Sequence, residues 1–357
     1  MKTIYIVSTE PFSGKGWITL MLGLKFKENG LKIGYFRPLG TIPIKIDDSL
    51  IDEDAFYFDK TLGLNLDKKL ISPVLMTDKS VEQIVSEQKE ENKNLDRYFK
   101  KVVQAYKKIS IGKNVFIIGG AGSLFTTGMI FNLDVLRLSN EFNAKVLVVV
   151  KYGNYMIDSI LASKKLLNNR MIGVVFNSIP EEKIEYMKKY AVPYLRKKGI
   201  EVFGLIPFSN ILCSISVKEL VDNLFCEVVC GKDKIDNLVQ HFCVGAMNVN
   251  SALKYFRQLS NKAVITGGDR SDIQLAALET PTVCLILTGN LYPNSAIIGK
   301  AESLGVPILL VKNDTLSTVE KIERLLVHIP VKGKQKLNHA KLLFDKYFDY
   351  KKFYHSL

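Results

Sequence analysis

Short apolar runs alternate with amphipathic segments along the first 208 residues of the chain. The first run, Lys2–Val7, predicts a buried strand, and Gly16–Glu28 predicts a helix that ends at the C-cap signal Asn29-Gly30. The uninterrupted apolar run Lys145–Val150 is typical of a central strand in a parallel sheet. Further strands are predicted at Lys32–Tyr35, Asn114–Ile118, Met171–Phe176 and Glu201–Leu205, and further helices at 78–109, Met156–Leu167 and Glu182–Lys198, the last with Pro193 as a candidate break.

This alternation predicts an α/β fold, in which a mostly parallel sheet has helices on both faces and right-handed crossovers. Ligands of such sheets bind at the carboxyl ends of the strands. A second, smaller α/β layer domain is predicted over 209–327, where the helical pattern Ser216–Leu224 is followed by further strand and helix patterns. The remaining segment, 328–357, is basic and aromatic and predicts a helical tail docked on the body.

The chain carries a formal charge of +13, from 49 Lys and Arg against 36 Asp and Glu. A basic chain can indicate nucleic-acid binding. Here, however, the lysines are spread along amphipathic segments such as Lys183–Lys198, among glutamates, and the densest basic region, Lys332–Lys352, has aromatic residues at helical spacing. The charge therefore does not favour a nucleic-acid partner.

The five cysteines all lie in the second half of the chain, inside apolar runs. This placement is typical of buried free thiols and indicates a cytoplasmic protein, and the paired spacing of a metal site is missing. No apolar run reaches 18 residues, and no charged segment leads into an apolar one at the start. We therefore expect neither a membrane span nor a signal peptide.

The segment Ser8–Gly16 follows the first predicted strand and has the layout of a phosphate-binding loop. Backbone N–H groups at a helix N-terminus, with a lysine beside them, form a site for phosphate groups. Lys15 is expected to direct its ammonium at the phosphate, and the alternative is a purely structural turn. Two positions depart from the common motif: Thr9 replaces a glycine, and Gly16 replaces the Ser or Thr whose hydroxyl binds Mg²⁺.

A second candidate site lies in the second domain, where Gly267–Asp272 stands between a predicted strand and a predicted helix. A glycine-rich turn with exposed N–H groups can bind an anion, and an arginine there can supply a planar fork to phosphate or carboxylate. The alternative is a helix cap by Asp269 together with an ion pair of Arg270, either with Asp272 or between the domains. The candidate residues of this anion site are Gly268, Asp269, Arg270 and Asp272.

These motifs, taken in order, resemble dethiobiotin synthetase and, still more closely, the N-terminal regulatory part of long phosphotransacetylases. The second-domain motifs resemble the DRTGG domain that follows the P-loop domain in those enzymes. The segments that carry the resemblance are Ile6–Lys15, Gly34–Pro38, Gly119–Gly122 and Asn177 in the first domain, and Thr266–Ile273, Leu287–Gly289 and Pro307–Thr315 in the second.

The resemblance implies that Arg37 replaces a substrate-binding lysine and that Asn177 matches an adenine-contacting asparagine. It also implies the loss of two Mg²⁺ ligands, because Gly16 replaces a threonine and Gly119 an acidic residue. Glu10 or Asp54 is a candidate replacement ligand, although Glu10 also fits a solvated loop acid, so the metal is left unassigned and Mg²⁺ is in doubt. The candidate cofactor-binding residues, for ATP or ADP, are Thr9, Glu10, Ser13, Gly14, Lys15, Gly16, Arg37 and Asn177.

Three functions remain open at this point. The first is a regulatory or sensor protein that binds a nucleotide or another phosphorylated ligand with weak or no hydrolysis. The second is an ATP-dependent, carboxylate-activating ligase of the dethiobiotin or cobyrinate synthase class, and the third is a structural or interaction protein with a degenerate loop. The resemblance implies a homodimer, and acetyl transfer is not expected because its domain would follow residue 357. No catalytic residue is assigned, since the first 240 residues lack histidine.

Overall fold

The computed structural model of the protein describes residues 1–86, 91–327 and 331–357. Their contacts divide them into two units. The first unit contains Met1–Phe208 and the C-terminal residues from 331 onward, and the second contains the described residues from 209 to 327. Both units are α/β, so the predicted fold class is confirmed. Among the described residues, no helix combines the length and the apolar character needed to cross a bilayer.

The strands are numbered in chain order. In the first unit they are β1 (Lys2–Ser8), β2 (Ile33–Phe36), β3 (Leu39–Gly40), β4 (Pro43–Ile46), β5 (Ser49–Asp52), β6 (Val74–Leu75), β7 (Val115–Gly119), β8 (Lys145–Lys151), β9 (Met171–Ile179) and β10 (Val202–Pro207). In the second unit they are β11 (Ile215–Ser216), β12 (Glu227–Cys230), β13 (Leu238–Val239), β14 (His241–Val244), β15 (Lys262–Gly267), β16 (Thr282–Thr288) and β17 (Ile308–Leu310).

The α-helices are numbered in the same way. In the first unit they are α1 (Lys15–Glu28), α2 (Glu53–Leu62), α3 (Lys68–Ile71), α4 (Asp78–Ser86), α5 (Glu91–Ile109), α6 (Val135–Glu141), α7 (Met156–Leu167), α8 (Ile184–Tyr186) and α9 (Val192–Lys197). In the second unit they are α10 (Val217–Leu224), α11 (Val249–Phe256), α12 (Ser271–Leu278), α13 (Ser295–Leu304) and α14 (Thr315–Val327), and α15 (Lys334–Tyr347) and α16 (Tyr350–Ser356) follow in the C-terminal segment. The helix predicted over 78–109 corresponds to α4 and α5, and its residues 87–90 lie outside the described residues.

The main sheet of the first unit has six strands in the order β10-β9-β8-β1-β7-β2, and every neighbouring pair is parallel. The apolar strand β1 lies between β8 and β7, with side chains buried along almost its whole length. Because all six strands run the same way, their carboxyl ends meet at one edge. The segments after β1, β2, β7 and β9 therefore meet there.

A short hairpin of β4 and β5 precedes α2, and the hydrophobic pattern did not predict it. Its turn residues Asp47 and Asp48 have φ values of 45° and 59°. Two successive positive φ values are the geometry of a type I′ turn, which aspartate tolerates better than most residues. The hairpin matters for the site because it ends at Asp52, the N-cap of α2.

Pro193 does not break the helical segment in which it lies. A π-helical turn, Met187–Ala191, joins α8 to α9, and Pro193 falls at the start of α9. Proline lacks an N–H group, so it is tolerated in the first turn of a helix and not in its interior. The π turn changes the hydrogen-bond pattern just before Pro193, and the segment continues without interruption.

The C-terminal helices α15 and α16 pack against the first unit through an aromatic cluster. Phe353 lies with its ring centroid 5.5 Å from that of Phe203 and 6.4 Å from that of Phe26. Phe348 stacks on Phe344 at 4.4 Å, and all of these rings are buried. The segment therefore contributes to the core of the first unit. We call these five residues the C-terminal aromatic cluster: Phe26, Phe203, Phe344, Phe348 and Phe353.

The second unit is built on a five-stranded sheet in the order β12-β17-β16-β15-β14. Its neighbours are parallel except for the edge strand β12, which is antiparallel to β17. The sheet has an apolar cluster on each side, with α11, α12 and α13 contributing to one and α10 and α14 to the other. The segment Gly267–Asp272, singled out in the sequence, joins β15 to α12 at the carboxyl edge.

Candidate functional site

The loop after β1 reaches α1 through two residues in the left-handed region, Phe12 with φ 55° and Gly14 with φ 88°. A Cβ atom at position 14 would lie 2.1 Å from Nδ2 of Asn177 and 2.8 Å from Nε1 of Trp17. Both the positive φ and this close approach require glycine at Gly14. The backbone at the start of α1 is therefore held against Asn177 of β9.

Asn177 stands near the end of β9 and is buried. Its Nδ2 donates a hydrogen bond of 2.9 Å to the carbonyl oxygen of Ser13. The structure thus places Asn177 as a support of the loop. Its contact with a nucleotide base, implied by the resemblance, stays a prediction.

The loop after β7 closes over the first loop from the other side. The carbonyl oxygen of Gly122 accepts hydrogen bonds from Lys15 Nζ at 3.1 Å and from Ser8 Oγ at 3.0 Å. Ser123 Oγ donates to the carbonyl oxygen of Thr9 at 2.7 Å. In these contacts the side chains of Ser8, Lys15 and Ser123 donate to backbone carbonyls and so hold the two loops together.

Arg37 follows β2 and brings a buried positive charge to the same edge. Its Nη1 forms an ion pair with Asp54 and lies 3.4 Å from Oδ1 of Asp52, while Nη2 donates to Thr41 Oγ1 at 3.4 Å. Burial alone would lower the pKa of Arg37, but the carboxylates of Asp54 and Asp52 outweigh it and hold this pKa above its ordinary value. Arg37 is therefore a permanent cation.

Two buried polar atoms at this edge have no hydrogen-bond partner within the described part of the chain. They are Nε of Arg37 and Oγ of Ser13. A buried donor without a partner costs about 1–3 kcal/mol, so such atoms call for an explanation. Both atoms belong to residues that the sequence predicts to bind a phosphorylated ligand, and an anion would give each donor an acceptor.

Lys15 adds a second cation whose charge depends on pH. Burial lowers the pKa of its ammonium to about 8, and the charge of Arg37 acts in the same direction, whereas Asp54 and Asp52 raise it. The described edge thus combines two basic groups with two carboxylates. We call these four residues the charge cluster: Lys15, Arg37, Asp52 and Asp54.

Affinity for a phosphate-bearing ligand is expected to fall as pH rises through about 8. Below this pKa Lys15 is charged, and above it the ammonium is lost, so binding should weaken roughly ten-fold between pH 7 and pH 9. Titration calorimetry with ADP across this range measures the effect. In the control variant Lys15→Arg the guanidinium stays charged, and the profile should flatten. A wild-type profile as flat as that of the variant would contradict the prediction.

The described residues do not fit the magnesium site that the resemblance implies. Gly16 offers no side-chain oxygen, although the place of a Cβ atom there is open, and at Gly119 a Cβ atom would lie only 2.7 Å from Oη of Tyr35. Of the two candidate replacements, Glu10 is exposed and Asp54 is paired with Arg37. No group of three or more His, Cys, Asp or Glu in the described ranges is placed to hold a metal ion.

Sequence reasoning missed two residues of this site, Tyr35 and Asp52. Asp52 is fully buried and accepts hydrogen bonds from the backbone N–H groups of Thr41, Ile42 and Ala55. An aspartate two residues before Asp54, at the start of a helical pattern, is an N-cap signal that could have identified it. Tyr35 has no comparable signal, since its role depends on a contact with the neighbouring strand.

The candidate anion site of the second unit forms internal contacts instead. The Arg270 guanidinium donates two hydrogen bonds to the Asp272 carboxylate, from Nε to Oδ1 at 3.0 Å and from Nη2 to Oδ2 at 3.1 Å. The N–H of Gly268 donates to Thr288 and that of Arg270 to Gly267. These contacts correspond to the Arg270–Asp272 alternative. Anion binding there stays a prediction.

The cap assigned to Asp269 as an alternative is not formed. The N-cap of α12 is Arg270, and in the described structure no side chain caps this helix. Gly268 is needed for a different reason, because a Cβ atom there would lie 1.8 Å from the carbonyl oxygen of Leu291. The glycine therefore allows two backbone segments to approach each other.

Comparison with protein families divides the chain in the way the motifs do. The family model of the AAA domain matches residues 2–215, and that of the DRTGG domain matches residues 219–325. These matches confirm the resemblance drawn from the sequence motifs.

Curated relatives include phosphate acetyltransferases and a dethiobiotin synthetase. A phosphate acetyltransferase of Synechocystis is 26% identical over 97% of this chain and 50% of the relative, and one of Pseudomonas putida is 23% identical over 94% and 49%. The chain thus spans about half the length of these relatives. The ATP-dependent dethiobiotin synthetase of Methanococcus vannielii is 26% identical over 57% of this chain and 77% of the relative.

Two solved structures are similar to parts of the chain. The cell division protein MinD of Aquifex aeolicus has 16% identity and a TM-score of 0.34, covering 58% of this chain and 83% of its own. The CBS and DRTGG domains of the regulatory region of Clostridium perfringens pyrophosphatase, complexed with the activator diadenosine tetraphosphate, have 24% identity and a TM-score of 0.28, covering 39% and 68%.

Proposed function

Because this chain belongs to the AAA domain family and also carries a DRTGG domain, we propose that it is a regulatory or sensor protein that binds a nucleotide or another phosphorylated ligand. Binding takes place at the loop that ends in Lys15, and hydrolysis is weak or absent.

The observation that carries this proposal is the charge cluster at the carboxyl edge of the main sheet. Lys15 and Arg37 bring two cations to one place, and Ser13 Oγ and Arg37 Nε are buried donors without partners among the described residues. An anion with several oxygens satisfies both kinds of group. The ATP-dependent relative supports a nucleotide as that anion.

Weak hydrolysis is supported by the groups that are missing at Gly16 and Gly119. Phosphoryl transfer depends on a metal ion that neutralises the charge developing on the transferred group. A site with neither a hydroxyl at position 16 nor an acid at position 119 can still hold phosphate, but it lacks the residues that place this metal.

Calorimetric titration of the full chain with ATP, ADP and inorganic phosphate tests the proposal. We expect nucleotide binding in the wild type. The affinity should be about ten-fold to one-hundred-fold lower in Lys15→Ala, because this variant loses a charge-assisted hydrogen bond to the ligand. The matched control is Lys165→Ala, which removes an exposed lysine of α7. If none of the three ligands binds, the proposal is contradicted and a structural or interaction role is favoured.

A second candidate function, an ATP-dependent carboxylate-activating ligase, is favoured by the match to dethiobiotin synthetase over 57% of the chain. This function requires Mg²⁺-dependent release of ADP that a carboxylate substrate stimulates. An assay of ADP release, with dethiobiotin precursors and other carboxylates, separates the two functions. Turnover that disappears in Lys15→Ala would replace the sensor function by the ligase.

A further inference from the structure

We propose that the guanidinium of Arg37 takes the place of a divalent cation, so that a nucleoside di- or triphosphate binds here without magnesium. This inference rests on the proposed function, since it states how the Lys15 site compensates the charge of its ligand. Three observations support it. Tyr35 fills the space beside Gly119, Arg37 pairs with the carboxylates of Asp52 and Asp54, and Nε of Arg37 has no acceptor among the described residues.

The position where an acidic metal ligand is implied is closed by Tyr35. The ring of Tyr35 is buried and stacks on Phe58, with the centroids 4.8 Å apart and the planes at 18°. Its Oη lies 2.7 Å, and its Cε2 3.1 Å, from the place of a Cβ atom at Gly119. A side chain there requires the ring to move, and the packing on Phe58 opposes this.

Tyr35 does not itself supply an anionic ligand in place of the missing acid. Burial raises the pKa of its phenol well above the ordinary value, because this effect outweighs the charge of Arg37, which lowers the pKa, while Asp52 and Asp54 raise it further. The phenol is therefore neutral at physiological pH. A neutral oxygen is a weaker ligand for Mg²⁺ than a carboxylate, because this hard cation is held largely by charge.

Arg37 already pairs with both carboxylates of the charge cluster. Its Nη1 pairs with Asp54 and lies 3.4 Å from Asp52, whose oxygens also accept three backbone N–H groups. A magnesium ion would have to displace the guanidinium from Asp54. The guanidinium cannot leave as a neutral group, because arginine stays protonated in proteins. The described arrangement thus holds an internal cation where carboxylates would otherwise attract a metal.

The guanidinium of Arg37 still has an N–H group, at Nε, that can donate to a ligand. Its Nε is buried without a hydrogen-bond partner among the described residues, while Nη1 and Nη2 are used by Asp54 and Thr41. Since the guanidinium fork matches the geometry of phosphate oxygens, Nε is suited to a terminal phosphate. Lys15 and the backbone at the start of α1 supply the other contacts.

The charge cluster also explains why the site is stable before a ligand arrives. Two cations and two carboxylates leave it close to neutral, whereas two unpaired buried cations would be costly. A metal-dependent site has the opposite design, because its carboxylates need the metal to offset their charge. The carboxylates of the charge cluster therefore need no metal ion to offset their charge.

Titration of the full wild-type chain with ATP, once in EDTA and once in excess Mg²⁺ at matched ionic strength, tests the inference. Because excess Mg²⁺ complexes free ATP, a site that takes the metal-free nucleotide should bind ATP at least as tightly in EDTA as in Mg²⁺. Arg37→Gln should lose about ten-fold to one-hundred-fold of the EDTA affinity, and Arg37→Lys should recover only part of it. The matched control is Arg196→Lys, on an arginine that is more than half exposed.

The outcomes separate the inference from the function on which it rests. ATP binding that needs Mg²⁺ but still depends on Lys15 would overturn the inference and leave the proposed function intact. Equal EDTA affinity of Arg37→Gln and the wild type would also overturn the inference. No binding in either buffer would overturn the proposed function itself. Thermal denaturation shows whether Arg37→Gln folds, and if it does not, the comparison of the two buffers on the wild type decides.

Discussion

Replacing Asp52 by alanine is expected to lower the free energy of unfolding by about 3–5 kcal/mol. The carboxylate is fully buried, and its oxygens accept the N–H groups of Thr41, Ile42 and Ala55 at 2.9, 3.1 and 3.0 Å. Alanine leaves these three donors without acceptors and removes one of the two carboxylates that offset Arg37. Urea denaturation followed by circular dichroism measures the change.

The control for this prediction is another helix N-cap that accepts fewer hydrogen bonds. Asp67 caps α3 by accepting one N–H, that of Lys69, and it is exposed. Asp67→Ala should cost only about 1 kcal/mol, the ordinary value of an N-cap. If Asp52→Ala costs no more than Asp67→Ala, then Asp52 acts as a cap alone and the charge cluster contributes little to folding.

Truncating Phe353 to alanine is expected to cost about 3–5 kcal/mol, the range for a large aromatic side chain in a packed core. Phe353 is fully buried and contacts the rings of Phe26, Phe203 and Phe348 at centroid distances of 6.4, 5.5 and 5.3 Å. The cavity would lie between α16 and the rest of the first unit. The same urea titration, together with limited proteolysis of α15 and α16, measures the loss.

Leu342→Ala provides the comparison on the same segment. Leu342 lies on α15 with 69% of its surface exposed, so its truncation should change stability by no more than about 0.5 kcal/mol. If both variants unfold at the wild-type urea concentration, the C-terminal helices do not belong to the core. Rapid cleavage of α16 in Phe353→Ala alone supports the packing described here.

The fold could be predicted from the sequence because its strands are long and apolar. Runs such as Lys145–Val150 are buried on both faces of the sheet, so they appear as uninterrupted apolar stretches. The β4–β5 hairpin escaped prediction because β4 is short and alternates between exposed and half-buried positions. Its turn, at Asp47 and Asp48, uses neither glycine nor asparagine, the usual signals.

The sequence predicted the site residues whose position follows from the end of a strand. It did not predict the residues whose role depends on contacts with adjacent strands. Lys15 and Arg37 follow apolar runs, so their place at one edge follows from parallel strands. Tyr35 and Gly119 meet because β2 and β7 are adjacent, and strand order is decided by packing. Asn177 was assigned to a ligand through the resemblance, whereas its hydrogen bond to the Ser13 carbonyl is a tertiary contact that no spacing reveals.

The C-terminal aromatic cluster has a consequence for the order in which the protein is made. Phe26 and Phe203 are synthesised before the second unit, and Phe353 only after it. The core of the first unit therefore cannot close on the ribosome until the second unit has emerged, although domains usually fold in the order of synthesis. Until then an apolar surface around Phe26 stays uncovered, and nascent chains of this protein should depend on chaperones for longer than their length alone suggests.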